Sequence, residues 1–138
     1  AFHLVTLARL HPYEYVYYNQ LVGGLPGAHT KWETDYWADT VRPAAALLTA
    51  YVAAEGAPPK EPWPVAVCAE NLQADVFLGP EFEVTKDWRR AEFFISPTHM
   101  DCDTALKGRI IATVERMGVT LAVVRDRRGL VGAERTPR

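Results

Sequence analysis

Phe93, Phe94 and Ile95 form an unbroken apolar run within Glu92–Ser96. Two aromatic side chains and one β-branched side chain in so short a run suit a strand. Successive side chains of a strand point to opposite faces, so consecutive apolar positions need cover on both. That requirement argues against an open sheet with one wet face. It predicts a central strand in a two- or three-layer α/β arrangement.

The flanking pattern supplies the other elements. A helix begins at Asp39 or Thr40, either of which can cap it, and Pro43 still falls in its first turn. Ala44, Leu47, Leu48, Tyr51 and Val52 make its apolar stripe, and Glu55-Gly56 ends it. Residues 57–64, with four prolines, read as an exposed connector. Strands are predicted at 65–68 and 82–85, with a short helix from Asn71 to Leu78 between them. Residues 97–107 read as a polar loop, and Arg109–Arg116 with Val119–Arg125 as a hairpin around Met117-Gly118. The expected fold is α/β, a small mixed sheet with helices packed on it. Three parallel strands carry an antiparallel C-terminal hairpin at one edge.

The chain of 138 residues is long enough for one domain with a real core. It divides into an aromatic and glycine-rich opening segment (1–37), the α/β core (38–126) and a flexible tail (127–138). Residues 1–10 suit either a strand or the frayed end of a longer helix. The formal charge of −2 provides no basic field for nucleic acid. Arg125, Arg127 and Arg128 read as part of a solvated tail. No run reaches the ~18–20 apolar residues of a membrane span. No signal peptide is visible. The first residues already lie in an apolar pattern (Phe2, Leu4, Val5, Leu7, Leu10), as if something upstream had been cut away.

Most of the unusual chemistry lies between His11 and Trp37. This stretch holds five of the six tyrosines, two of the four tryptophans and three of the nine glycines. Tyr13–Tyr18 suits a strand by composition, but Pro12 before it and Gly23-Gly24 after it favour a short helix. Gly23, Gly24, Pro26 and Gly27 make a loop. That loop lacks the spacing of a phosphate-binding loop.

Trp32, Glu33, Asp35, Tyr36 and Trp37, with Asp39, are the candidate substrate contacts. Aromatic rings stack on the apolar faces of sugars, and carboxylates accept hydroxyl hydrogen bonds. The same residues also suit structural roles: Asp39 as a cap, Trp37 in the core, Glu33 and Asp35 solvated. His99, Asp101, Cys102 and Asp103 form a second candidate, a metal site, but lack a partner from elsewhere in the chain. His11 with Tyr13, Tyr15, Tyr17 and Asn19 is a third, but the sequence positions no nucleophile or second acid beside it. No complete catalytic constellation is present, and no motif calls for a cofactor. Cys68 and Cys102 fit no zinc or CxxC spacing. Cys68 ends one predicted parallel strand and Cys102 follows the C-terminal end of another, so a bridge is feasible if those strands are neighbours. Two buried thiols remain the alternative.

The run HPYEYVYYNQLVGG, followed by Asp35-Tyr36-Trp37 and an amphipathic helix, resembles the end of bacterial type-C membrane glycosyltransferases, the dolichyl-phosphate-mannose-mannosyltransferase-like group. In such proteins His-Pro, an aromatic run ending in Asn, and Gly-Gly follow the last transmembrane helix. Here these are His11-Pro12, Tyr13 to Asn19 and Gly23-Gly24. The closing hairpin around Val114–Val124 is also similar. The resemblance implies an extracytoplasmic accessory domain, on the periplasmic face of the inner membrane, of an enzyme using a polyprenyl-phosphate sugar donor. Its partners would be the transmembrane part of the same parent chain and a glycan acceptor or lipid-linked sugar. The family's catalytic carboxylates lie in the membrane part, so no catalytic residue is carried over and the domain would be inactive alone. An oxidising location would favour the Cys68–Cys102 bridge. A free-standing sugar- or ligand-binding module and a small metal-dependent enzyme are the other readings.

Overall fold

A computed structural model describes residues 2–56 and 59–134. In chain order these form α1 (Phe2–Leu10), α2 (Gly24–Ala28), α3 (Val41–Ala54), β1 (Trp63–Val67), α4 (Asn71–Asp75), β2 (Phe82–Val84), β3 (Phe93–Pro97), β4 (Arg109–Arg116), β5 (Val119–Asp126) and α5 (Arg128–Glu134). Single 3-10 turns occupy Glu14–Val16 and Gln20–Val22, and a kinked pair spans His99–Thr104. None of these helices is long and apolar enough to cross a membrane.

The five strands form one mixed sheet in the order β2-β1-β3-β5-β4. β1 runs parallel to both β2 and β3, with Ala66 opposite Phe94. β5 pairs antiparallel with β3, and β4 closes the hairpin at the outer edge. The expected α/β class, parallel trio and C-terminal hairpin are all present. Met117 (φ 51°) and Gly118 (φ 78°) make the two-residue turn. Two consecutive positive φ values match the strand twist across such a tight hairpin.

β3 is covered on both faces, but unequally. Phe93 and Ile95 enter the main core with Val65, Val67, Leu121 and Leu48 of α3. Phe94 faces the other way, into a small cluster with Ala66 and Ala91. Trp88, Leu106 and Cys68 cover it, all from loops and none from a helix. The architecture is therefore two layers plus a thin loop lid.

The opening segment belongs to the main core. Leu10, Tyr13, Val16 and Leu25 are all buried there. Arg116 of β4 clamps it, with its guanidinium 4.6 Å from the Tyr13 ring centre and its Nε donating to the His11 carbonyl. Residues 2–10 take the helical alternative. Tyr13–Tyr18 forms only one 3-10 turn, and the glycine loop contains the short α2. Gly27 fits there because a Cβ would collide with the Val22 carbonyl.

The tail departs from expectation. Arg127 is 5% exposed and donates to the carbonyls of Lys107, Trp88 and Ala91. Arg128 starts α5, forks onto Glu55 and also bonds Asp126. Arg125 bonds the Gly108 and Asp103 carbonyls. These three arginines are therefore tied into the fold, Arg125 and Arg127 through loop carbonyls and Arg128 through the carboxylates of Glu55 and Asp126. Residues 135–138 of the expected flexible tail lie outside the described residues.

Candidate functional site

Residues 32–37 alternate between surface and interior. Trp32, Glu33, Tyr36 and Trp37 are exposed, whereas Thr34 and Asp35 are buried. The structure thus corrects two structural alternatives. Trp37 is 66% exposed and is not a core residue, and Asp35 is fully buried and is not solvated.

Asp35 is held from two sides. The Tyr15 hydroxyl donates to Oδ1, and the Thr40 hydroxyl and amide donate to Oδ2. Burial pushes the Asp35 carboxyl above its ordinary range, while the bonds from Thr40 and Tyr15 oppose that rise. Burial and then the bond to Asp35 raise the Tyr15 phenol. Thr40 occupies the N-cap position of α3, but its side chain serves Asp35 and does not cap the helix. Asp39 is exposed and provides no cap bond. Asp35 is therefore a structural post beneath the exposed aromatic residues.

Glu33 reaches across to the loop after β3. Its Oε2 lies 2.8 Å from His99 Nδ1 and accepts the Met100 N–H at 2.9 Å. The Met100 amide and, secondarily, His99 hold the Glu33 carboxyl below its usual range. His99 also meets the Tyr36 ring edge-on, at 5.3 Å between centres, and Tyr36 meets Trp37 in the same way at 5.2 Å. The Trp32 indole stacks on Tyr18 at 6.1 Å, and the Tyr18 hydroxyl donates to the Glu33 carbonyl.

Two grooves flank this ridge. A polar one of about 630 Å³ is lined by His29, Lys31, Trp32, Glu33, Asp101 and Asp103, with threonines between them. Asp101 and Asp103 offer their backbone carbonyls to Thr104 and Arg125. No hydrogen bond or ion pair among the described residues engages their carboxylates. On the other side, an apolar groove of about 1040 Å³ runs between α3 and α4, lined by Tyr13, Ala46, Leu72, Val76 and Phe77. Trp32 and Glu33 thus share one groove, while Tyr36 and Trp37 stand on the ridge and Asp35 lies beneath it.

Cys68 and Cys102 are joined as a disulfide with Cα atoms 6.2 Å apart, tying the end of β1 to the loop after β3. With His99 on Glu33 and Cys102 on Cys68, the suspected metal loop has other partners. Among the described residues no three His, Cys, Asp or Glu side chains gather as metal ligands. His11 Nδ1 pairs locally with Glu14 at 2.6 Å on the surface. The sequence reading missed His29, Lys31 and the threonines of the polar groove. Glu33 and His99 are 66 residues apart, and no local pattern announces their meeting. Comparison of the chain with protein-family models, with curated proteins and with solved structures finds no match.

Proposed function

We propose that this chain is the extracytoplasmic accessory domain of a membrane glycosyltransferase with a lipid-linked sugar donor. It recognises and does not catalyse. The sequence resemblance of His11–Trp37 motivates the enzyme class. The observation that carries the recognition role is the polar groove, where the half-exposed indole of Trp32 stands beside the unengaged carboxylates of Asp101 and Asp103. A pyranose presents an apolar face to a ring and hydroxyl donors to carboxylates, and this arrangement fits both. Glu33 is exposed and bonded to the loop, and Asp35 is sealed beneath the ridge, so neither is offered to a ligand as a buried acid or base. Its partners are the transmembrane part of the parent chain and a glycan acceptor or the sugar of the donor, on the periplasmic side.

The test is a titration with an oligomannose trisaccharide and with farnesyl phosphate, followed by tryptophan fluorescence and amide NMR shifts. Saturable shifts at Trp32, Asp101 and Asp103 are expected, and Trp32→Ala should weaken binding about tenfold, or ~1.4 kcal/mol. Shifts confined to other surfaces, or none, would remove the recognition role. Sugar transfer by the isolated chain would overturn its non-catalytic assignment.

A further inference from the structure

The loop wall of the polar groove holds two consecutive non-glycine residues in the left-handed region, Met100 (φ 52°) and Asp101 (φ 55°). L-residues pay for that conformation, and it persists only where the surroundings over-determine it. Two attachments flank the strained pair. On one side, Glu33 receives the Met100 amide and pairs with His99. On the other, the very next residue, Cys102, is bonded to Cys68 at the end of β1. The Arg125 bond to the Asp103 carbonyl lies beyond the bridge and steadies the far end of the loop. Thr98, before the pair, is pinned to β5 by its amide and hydroxyl.

We infer that Glu33 and the Cys68–Cys102 bridge act as a two-point clamp that holds Met100 and Asp101 in their left-handed course and so builds one wall of the groove. Glu33 is then a positioning residue, and Asp101 and Asp103 are the groups it helps present. Reduction releases one arm of the clamp. A dithiol such as dithiothreitol attacks one sulfur, its second thiol resolves the mixed disulfide, and it leaves as a cyclic disulfide. Two electrons and two protons pass to the cysteines, which become thiols. The groove is therefore intact only in the oxidised protein. The ligand-binding consequence rests on the recognition role proposed above, whereas the clamp itself does not.

Hydrogen exchange separates the two. Compared with the bridged protein, Cys68→Ser/Cys102→Ser should exchange its 99–104 amides at least tenfold faster, with β3 and β5 still protected. Glu33→Ala, with the bridge intact, should speed exchange chiefly at Met100. Adding Met100→Gly and Asp101→Gly to the serine variant relieves the left-handed strain and should restore slow exchange. Unchanged exchange at 99–104 in both the serine variant and Glu33→Ala overturns the clamp. If the serine variant does not fold, unchanged exchange at Met100 in Glu33→Ala overturns it alone. Titration of the same proteins with the trisaccharide tests the other reading. Loop opening with no saccharide bound by any form sustains the clamp and removes glycan recognition. Equal saccharide binding with unchanged exchange does the reverse.

Discussion

Glu33 and Asp35 are two positions apart and carry the same chemical group, yet their carboxyls shift in opposite directions. The Met100 backbone donor, with His99 beside it, lowers the first, and burial raises the second. For Asp35 the sign follows directly. A carboxyl whose folded pKa lies above its unfolded value adds stability at low pH and loses it as pH rises through the folded pKa. Asp35→Asn removes that dependence and leaves a donor facing Tyr15 or Thr40 without an acceptor. It should cost about 1–3 kcal/mol near pH 4 and less near pH 7, as read by urea unfolding across that range. A penalty that grows with pH would contradict the assignment. Arg128 is the second decisive residue. It forks onto Glu55 at 2.7 Å and stands 4.8 Å from the Phe93 ring centre. Arg128→Lys keeps the charge but loses the fork, and should lower unfolding free energy by about 2 kcal/mol. Neither role was legible locally. Burial of Asp35 depends on Tyr15, twenty residues upstream, and the Arg128 pair spans 73 positions.

At the level of elements, β3 shows how far periodicity carries. Three consecutive apolar residues called for cover on both faces, and both faces are covered. The identity of the second cover was not readable, because Trp88 and Leu106 come from irregular loops that have no period to detect. The Trp88 ring lies 5.5 Å from Phe94. Trp88→Ala should uncover Phe94 and destabilise the domain by about 1.5–3 kcal/mol, measured by chemical denaturation. Leu106→Ala acts on the same cluster, so the double variant should be less than additive. The α3 stripe was legible for the opposite reason. Fourteen residues at helical spacing bury Ala44, Leu48 and Val52 of the expected stripe and half-bury Tyr51, but Leu47 of that stripe is exposed and Ala45 takes its place on the buried face.

Across the whole molecule, the Cys68–Cys102 bridge closes a loop with a sequence separation of 34 that contains α4, β2 and β3. Restricting the unfolded chain over that length is worth roughly 3–4 kcal/mol in the chain-entropy treatment. Reduction should lower the unfolding free energy by about that amount, checked by denaturation with and without dithiothreitol. A loss under ~1 kcal/mol would mean that reduced unfolded chains already hold these segments together. The opening segment adds a second long-range tie through Arg116 on Tyr13 and the His11 carbonyl. What the sequence determined by itself was whatever repeats along the chain: the strands, the α3 stripe, the Met117-Gly118 turn and hence the mixed sheet. Short-range pattern suffices there, because backbone hydrogen bonding and amphipathicity act over a few residues. Only the tertiary structure decided which of Trp32–Trp37 face solvent, that Arg125, Arg127 and Arg128 are tied into the fold with Arg127 buried, and that Glu33 meets His99 and Met100 to wall a groove. Those outcomes depend on side chains dozens of positions apart arriving at one place, and burial and pairing are properties of that arrangement rather than of any stretch of sequence.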